Sequence, residues 1–373
     1  MPAPKFTLPE FTGSLADLGT IIPFILIAVS VTGMKLGPIL LAFGLFYVVS
    51  GLIYRLPVAV EPLKAVGAIA VSSSLTQGEI VGAGIFVGLF FLLLGVTGLI
   101  DKIAKVFPIS LIRGVQLGLA LVLLVKGGQF ILGDPYLGLL AVGLFVFARF
   151  VNQRHSDLNF PGALLVFIIG IAYGFYVFGV PPVQLSIPLD IFVPTAGDLV
   201  SGAYKAGIAQ LPLTLTNAVL ATSLLASDLF KEKVSNRKLS TTIGGACVVA
   251  PLLGGFPMCH GAGGMAAHYQ FGARTGGADI MIGVLFIALS FVATSPMLAL
   301  IPAGILGTLL FFAGVEMLRN AVRTDRMLVT AAAGVVMLLV DPTVGLAAGI
   351  VMYGLSKLFR PDGWESPWLK QKR

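Results

Sequence analysis

The sequence is poor in charged residues and in cysteine. Only 11% of its 373 residues are Asp, Glu, Lys or Arg, whereas 57% are hydrophobic. A soluble domain carries about a quarter charged residues, so this composition excludes an ordinary soluble protein. Apolar runs long enough to span a bilayer recur along the chain and indicate a polytopic all-α membrane protein. The two cysteines, Cys247 and Cys259, exclude a disulfide framework and lack metal-ligand spacing.

The sequence also lacks the patterns of catalytic chemistry. It contains no nucleophile–base pair and no metal-ligand cluster. Its Gly-Ala-Gly-Gly run at residues 261–264 lacks the strand, helix and later acidic residue of a dinucleotide-binding loop. We therefore expect a protein that is not an enzyme and that has no cofactor and no metal site.

Fourteen apolar segments follow one another, several of them too short to cross a bilayer alone. One long connection, residues 180–205, contains four prolines and separates seven segments from seven. We divide the chain into a first inverted repeat (1–179), this connection, a second inverted repeat (206–358) and a tail (359–373). The segments lie at residues 12–32, 36–53, 60–75, 79–100, 107–125, 134–150, 159–179, 206–226, 239–253, 261–273, 277–294, 298–318, 326–340 and 343–358.

The positive charges are distributed unevenly between the two sides that fourteen spans define. Of the 24 Lys and Arg residues, 19 fall on the side of the termini, three on the opposite side and two within spans. Cytoplasmic loops carry the excess of Lys and Arg, so the sequence predicts that both termini are cytoplasmic. The net charge of +7 then reflects topology and not nucleic-acid binding.

Two features recur in both halves at the same offset. Residues 15–18 align with 215–218, and Pro57 aligns with Pro257, each pair separated by 200 positions. Because each half has seven segments, two such repeats must run in opposite directions across the bilayer. Interrupted segments at matching places of inverted repeats are the best sequence indication of a transporter binding site.

The glycine-rich stretch at residues 254–268 is the first candidate for that site. A helix cannot continue through Pro257, so we expect a short extended piece and then a helix that begins near Gly261. The first amides of a helix lack intrahelical acceptors, and its N-terminus favours an anion. For His260 the alternative is a structural hydrogen bond. The candidate binding residues of this stretch are Cys259, His260, Gly261, Ala262 and Gly263.

The third segment is the corresponding candidate in the first half. We expect an extended stretch at 58–60 and a helix that begins at Pro62, where the missing N–H is not needed. In an inverted repeat its N-terminus points towards the one at Gly261, and Lys64 adds a positive charge. Glu61 repels an anion unless burial keeps it neutral, so one hypothesis is that it carries a proton with the substrate. The alternative is that Glu61 only pairs with Lys64.

Polar residues of the first and eighth segments complete the predicted site. Asp17 and Thr20 lie in a stretch of small residues, and Asp17 either faces the ligand, which we expect, or caps a helix broken at Gly19. Asp17 is also the second candidate for proton coupling. Its repeat mate Asn217, together with Thr216, offers donors to an oxyanion, although such residues also form plain interhelical hydrogen bonds.

Four motifs resemble the molybdate transporter family of plants, algae and prokaryotes, which belongs to the sulfate permease superfamily. The resemblance covers almost the whole chain, and the block at residues 259–264 is the most specific part of it. One departure is Glu61, where the family pattern has glutamine. The motifs are Asp17-Leu-Gly-Thr20 followed by Ile-Pro, the run at 57–64, Leu-Pro-Leu-Thr at 211–214 with Asn217, and Cys-His-Gly-Ala-Gly-Gly at 259–264 with Phe-Gly-Ala-Arg at 271–274.

The resemblance implies a fold and an activity. The expected fold is a seven-plus-seven inverted repeat in which a core domain (segments 1–4 and 8–11) moves like an elevator against a gate domain (segments 5–7 and 12–14). The expected activity is secondary active, proton-coupled uptake of a tetrahedral oxyanion, molybdate first and sulfate second. The resemblance further implies a homodimer, and we expect a prokaryotic plasma (inner) membrane. Two alternatives remain: a nucleobase/proton symporter of the same fold, and a passive anion channel.

Overall fold

A computed structural model describes residues 2–73, 75–103, 108–154, 162–179, 184–293 and 300–359. These residues are mostly helical and include a single two-stranded sheet. Five helices in this part of the chain are long and apolar enough to cross a membrane, or six if a pair bent by 48° within residues 8–32 forms one span. Every predicted segment contains a helix, but the count of fourteen spans stays a prediction.

The first half begins with a helix that is interrupted at the level of Asp17. Later in this half, a strand precedes a short helix of ten residues. In chain order its elements are α1 (Leu8–Ser14), a 3-10 turn (Leu15–Asp17), α2 (Leu18–Thr32), α3 (Leu36–Tyr54), β1 (Val60–Pro62), α4 (Lys64–Ser73), α5 (Gln77–Thr97), α6 (Ile100–Ile103), α7 (Ile109–Gly133), α8 (Pro135–Arg154) and α9 (Gly162–Phe178).

The second half repeats the combination of a strand and a short helix. Its elements are α10 (Ala196–Gly202), a π-helical turn (Ala203–Gly207), α11 (Ile208–Leu213), a second π-helical stretch (Thr214–Ala221), α12 (Thr222–Phe230), α13 (Asn236–Leu252), β2 (Met258–His260), α14 (Ala262–Gln270), α15 (Gly277–Ser290), α16 (Ala303–Ala321), α17 (Met327–Leu339) and α18 (Pro342–Phe359). The predicted tail beyond residue 359 lies outside the described residues.

The helix of the eighth segment begins earlier than predicted. A capping box fixes its start: the Asp198 amide donates to the Thr195 hydroxyl at 3.1 Å, and the Thr195 amide donates to the Asp198 carboxylate at 2.9 Å. Residues 196–205 are therefore helical, and the prediction that they belong to the connection is wrong. The four prolines of residues 181–194 indicated a loop, and the prediction extended this loop over the following residues, although these contain no proline.

Small residues bring three pairs of helices into close contact. A Cβ atom on Gly44 of α3 would lie 2.7 Å from the carbonyl oxygen of Gly283 on α15. A Cβ atom on Gly244 of α13 would lie 2.8 Å from the carbonyl oxygen of Gly88 on α5. Gly44 and Gly244 differ by the offset of 200 found in the sequence. The third pair, α7 and α16, meets at Gly127, and such close approach is the usual reason for glycine at membrane helix interfaces.

The helices pack into two groups, and the strands contact helices of the first group. In one group α3 packs against α15 and α5 packs against α13, with α10 beside α5. In the other group α7 packs against α16 and α17, α18 packs against α17, and α8 lies beside α9 and α16. This arrangement leaves the strands and the two short helices α4 and α14 between neighbours from both halves of the chain.

The two strands pair in antiparallel fashion at the centre of the protein. Val60 lies opposite His260, and these two residues again differ by 200. The ladder extends through the Leu63 amide, which donates to the Pro257 carbonyl at 3.1 Å. The prediction that Pro62 begins the helix is wrong: it is the last residue of β1, and α4 begins at Lys64. The fixed φ of proline suits this extended position. Alternate residues of a strand bond to a given partner strand, and here the donor is the Leu63 amide, so the ladder does not need an N–H from Pro62.

Candidate functional site

A cavity of about 400 Å³ lies at the level of the two strands. Side chains from the strands and adjacent helices line one wall, and α7, α8, α9 and α16 line the other. Because both helix groups contribute, a movement of one group against the other would change the shape of the cavity. The polar residues of the first wall include Asp17, Thr20, Glu61, Lys64, Gln210 and Asn217.

The carboxylate of Glu61 contacts both positively polarised groups of this wall. Its Oε1 atom accepts a hydrogen bond from the Gly264 amide, in the first turn of α14, at 3.0 Å. Its Oε2 atom lies 2.7 Å from the Lys64 ammonium. Glu61 is 1% exposed, whereas the Lys64 side chain is 24% exposed towards the cavity. An anion at the N-terminus of α14 would therefore meet the same amide and ammonium that Glu61 already occupies.

Glycine is required where this carboxylate crosses to the second half of the chain. A Cβ atom on Gly261 would overlap the Glu61 carboxyl group, and one on Gly264 would overlap the Asp17 carboxylate. Two buried carboxyl groups thus meet against the first turn of α14. The two carboxyl groups therefore lie on the same short helix start, where negative charges on both would repel each other.

The N-terminus of α4 has a neutral partner instead. The Ala65 amide donates to the Gln210 carbonyl oxygen at 2.8 Å, and the Gln210 amide donates to the Thr214 hydroxyl at 3.0 Å. Gln210 is buried and lines the cavity. The expectation of two bare helix N-termini is therefore corrected: each short helix has one first-turn amide bound by a side chain, because buried donors rarely stay unpaired.

Acidic groups outnumber basic ones around the cavity. Asp17 and Glu61 lie on one wall, and Glu316 of α16 faces them from the other. Among the described residues that line the cavity, Lys64 is the one with a permanent positive charge. Ionised carboxyl groups at these positions would repel a multiply charged anion.

Comparison with known proteins identifies the family. A family model described as "Molybdate transporter of MFS superfamily" matches residues 9–123 and 202–317 of the chain. The chain belongs to this family. It is also 32% identical to Molybdate transporter 1 of Arabidopsis thaliana over 365 residues, which covers 83% of the chain and 79% of that protein. The relatives are transporters, so the expectation that the chain is a membrane transporter and not an enzyme is confirmed.

Two further similarities bear on the fold. The transmembrane domain of the cyanobacterial bicarbonate transporter BicA superposes with a TM-score of 0.65 at 16% sequence identity, over 92% of this chain and 97% of that domain. The guanine/hypoxanthine permease GhxP of Escherichia coli O157:H7 is 27% identical over 325 residues, which covers 76% of the chain and 70% of that permease. The predicted relation to the sulfate permease fold is thus confirmed at the level of overall architecture.

The structure brings seven of the twelve predicted site residues together around the cavity. They come from four separate parts of the sequence, and the pairing of β1 with β2 is what joins them. Their role in binding stays a prediction. These residues are Asp17, Thr20, Glu61, Lys64, Asn217, Cys259 and Gly263.

His260 does not face the cavity, which corrects the expectation that it contacts the ligand. Its ring is fully buried, stacks on Phe46 with centroids 5.0 Å apart and meets the edge of Tyr54 at 5.2 Å. Its Nε2 atom lies 3.1 Å from the Thr242 hydroxyl. Side chains alternate along a strand, so when Cys259 faces the cavity its neighbour His260 must point into the core. The structural alternative therefore describes His260.

The other four predicted residues also lie outside the cavity lining. The Thr216 hydroxyl donates to the Pro212 carbonyl, one helical turn earlier, at 2.8 Å. Pro62, Gly261 and Ala262 contribute backbone, since they form the end of β1 and the start of α14. These residues position the site without lining the cavity.

Sequence reasoning missed five polar residues of the cavity, namely Gln116, Gln210, Gln270, Glu316 and Asn320. Gln210 directly precedes the Leu-Pro-Leu-Thr motif, and this adjacency was the one available signal. Gln116 and Glu316 lie on α7 and α16, inside long helices whose apolar pattern gives no reason to single them out. Only the packing of those helices brings the two side chains opposite Lys64.

Two basic residues near α14 lie outside the cavity. The His268 side chain is fully buried beside Asp279. Arg274 holds the loop that follows α14: its amide donates to the Glu10 carboxylate at 3.0 Å, and its guanidinium stacks on Tyr269.

Proposed function

We propose that the protein is a secondary active transporter of a tetrahedral oxyanion, molybdate first and sulfate second, bound between the N-termini of α4 and α14. The observation that carries this proposal is the position of the Glu61 carboxylate. A negatively charged oxygen pair already sits on the Gly264 amide and the Lys64 ammonium, so the same groups suit an incoming oxyanion. The molybdate transporters among the relatives support the choice of substrate.

The same contacts couple transport to protons. An oxyanion that takes the Gly264 amide and the Lys64 ammonium displaces the Glu61 carboxylate from both of its partners. A buried carboxylate without partners is costly, and it becomes neutral by binding a proton. Asp17 lies against the same turn of α14 and adds to this effect, because a negative charge on Asp17 repels one on Glu61. The anion and at least one proton therefore enter together.

Alternating access follows from the two helix groups. The group around the strands, which corresponds to segments 1–4 and 8–11, is the core domain, and the group of α7–α9 and α16–α18 is the gate domain. The offset of 200 that relates Val60 to His260 and Gly44 to Gly244 supports the inverted repeat. The excess of Lys and Arg supports cytoplasmic termini in a plasma membrane. A homodimer stays a prediction.

Direct binding tests the proposal. Purified protein is titrated with labelled molybdate, and sulfate, tungstate and uracil are added as competitors. We expect molybdate to bind with tungstate and sulfate as competitors and uracil without effect. In proteoliposomes, uptake should become uphill under an inward proton gradient. Uptake that stays downhill under every imposed gradient would instead indicate a passive channel.

A second candidate function is a nucleobase/proton symporter. The 27% identity to the guanine/hypoxanthine permease favours it, and Glu61 with Asp17 supplies acceptors for the N–H groups of a purine or pyrimidine. In the same competition experiment, displacement of labelled guanine or uracil without molybdate binding would favour this candidate. Hydrogen bonds from a neutral ring would then replace the charge attraction of Lys64.

A further inference from the structure

A second group of buried ionisable side chains lies outside the cavity. His268 of α14 and Asp279 of α15 are both fully buried, and their Nδ1 and Oδ1 atoms are 3.5 Å apart. Tyr47 and Ser50 of α3 complete this group, which we call the His268–Asp279 cluster. The Ser50 hydroxyl lies 3.2 Å from the second Asp279 oxygen, and the Tyr47 ring lies 6.5 Å from the His268 ring.

The cluster concentrates buried polar atoms that lack hydrogen bonds. Within the described residues, both ring nitrogens of His268, Oδ1 of Asp279 and the Tyr47 hydroxyl have no partner with hydrogen-bond geometry. Buried polar groups are nearly always paired at short distance, whereas the imidazole and the carboxylate face each other only at 3.5 Å, so this concentration of polar atoms requires an explanation. Burying a histidine and an aspartate costs free energy in a membrane protein, and aliphatic side chains would fill the same space at lower cost.

Charge balance explains why the cluster holds a proton. With one proton the pair is neutral overall, either as imidazolium and carboxylate or as two uncharged groups. Without it, the Asp279 carboxylate is a lone buried charge, which costs several kcal/mol in a low-dielectric interior. Loss of the proton breaks an imidazole N–H bond, leaves the electron pair on nitrogen and passes H⁺ to water. The pair is therefore neutral with one exchangeable proton.

The cluster is connected to the cavity by α14 and by Tyr47. Gly264 and His268 lie one helical turn apart on α14, so a displacement of the first turn moves both. The Gly264 amide is the group that holds Glu61, and the carboxylates of Asp17 and Asp279 both lie within electrostatic range of the Tyr47 phenol. Tyr47 packs beside the His268 ring and is therefore the group of the cluster that we consider for proton exchange with the cavity.

The other charged groups around the pair do not neutralise it. Glu10 of α1 accepts hydrogen bonds from the Arg274 and Thr275 amides and from the Thr275 hydroxyl. From α12, Phe230 packs against Tyr269 of α14, and Asp228 is exposed to solvent.

We propose that the His268–Asp279 cluster is a second proton-binding site of the transport cycle, separate from Glu61. It binds one proton in the buried pair and exchanges it with the cavity through Tyr47. Together with Glu61, it raises the number of protons that accompany a dianion from one to two, so that the dianion and its two protons together carry no net charge. This inference rests on the proposed function.

The experiment measures protons per molybdate in proteoliposomes that contain the full chain, with labelled molybdate and an internal pH dye. The variants are D279N and the double variant H268Q/D279N, which keeps an uncharged hydrogen-bonding pair. The matched control is S240A, a buried hydroxyl on α13 that donates to the Phe91 carbonyl at 2.7 Å, away from the cluster. We expect the variants to bind molybdate within about twofold of wild type and to carry about one proton fewer per molybdate.

The outcomes separate this inference from the proposed function. If wild type does not take up molybdate, the proposed function fails. If wild type takes up molybdate with protons and the variants show an unchanged ratio, only the second proton site is rejected. Should both variants fail to fold, ¹⁵N spectra of the three histidines in wild type decide. A buried imidazolium signal that titrates together with uptake supports the proposal, and neutral imidazole at every pH at which uptake is driven overturns it.

Discussion

The Glu61 carboxylate, on the strand of the first half, binds the amide of Gly264, in the short helix of the second half, at 3.0 Å. The same carboxylate pairs with Lys64 at 2.7 Å. The side chain therefore occupies the position that an oxyanion needs. Under the proposed function, substrate binding is a competition between an internal and an external anion for the same two groups.

Replacing Glu61 by glutamine should relieve this competition. Glutamine keeps an oxygen that can accept from the Gly264 amide, but it removes the carboxylate that pairs with the Lys64 ammonium at 2.7 Å. We expect E61Q to bind molybdate about tenfold more tightly at pH 7.5, equivalent to about 1.4 kcal/mol.

If Glu61 is the coupling group, wild-type binding should strengthen as pH falls, because a neutral Glu61 no longer competes with the anion. Binding to E61Q should change much less between pH 6 and pH 8. Titration calorimetry at both pH values measures this, and an unaltered pH dependence in E61Q would exclude Glu61 as the coupling group.

Replacement of Lys64 by alanine should weaken the binding of an anion. We expect K64A to weaken molybdate binding by at least about tenfold, since hydrogen bonds to charged groups contribute about 1.5–3 kcal/mol. The matched control is K35A, because Lys35 pairs with Asp190 at the surface with its side chain 61% exposed. Binding by K64A at the level of K35A would contradict the assigned site.

The K64A variant also leaves Glu61 buried without its cation, which by itself destabilises a protein. The double variant K64A/E61Q separates the two effects. We expect it to recover the melting temperature that K64A loses but not the affinity for molybdate. If the double variant regained binding, Lys64 would serve folding and not substrate recognition.

The two cysteines provide an internal test of the cavity. Cys259 lines the cavity, whereas Cys247 is fully buried and its thiol donates to the Met258 carbonyl at 2.9 Å. We expect a small thiol reagent to inhibit uptake in wild type and in C247S but not in C259S. Bound molybdate should slow the modification of Cys259. Modification at an equal rate with and without molybdate would indicate that the anion binds elsewhere.

The glycine at the first turn of α14 should not tolerate a methyl group. In G264A the new Cβ atom would overlap the Asp17 carboxylate and lie 2.6 Å from the Ala59 Cβ atom. We expect a loss of about 1–3 kcal/mol of stability, as for other overpacked sites, and a loss of molybdate binding. At Gly128 of α7 a Cβ atom meets nothing within 4 Å, so G128A should be neutral or stabilise the helix by up to about 1 kcal/mol. Thermal melting in detergent distinguishes the two variants, and equal melting temperatures would contradict the packing around Asp17.

The sequence by itself determined that the chain is a helical membrane protein, because low charge and long apolar runs leave no other solution. It also located the two interruptions, since Pro57 and Pro257 recur at an offset of 200 in otherwise apolar segments. The family followed from local motifs such as the block at residues 259–264. Local composition and spacing carry all of this information, and no contact between distant residues is needed.

Only the tertiary structure decided which side chains meet. The pairing of Val60 with His260 places Cys259 in the cavity and His260 in the core, and a shift by one residue would exchange them. Helix packing brings Glu316 opposite Lys64, and buries His268 beside Asp279. Glu61 binds an amide that lies 203 residues away in the sequence. These relationships depend on long-range packing, whereas a local sequence pattern records only the residues within one segment.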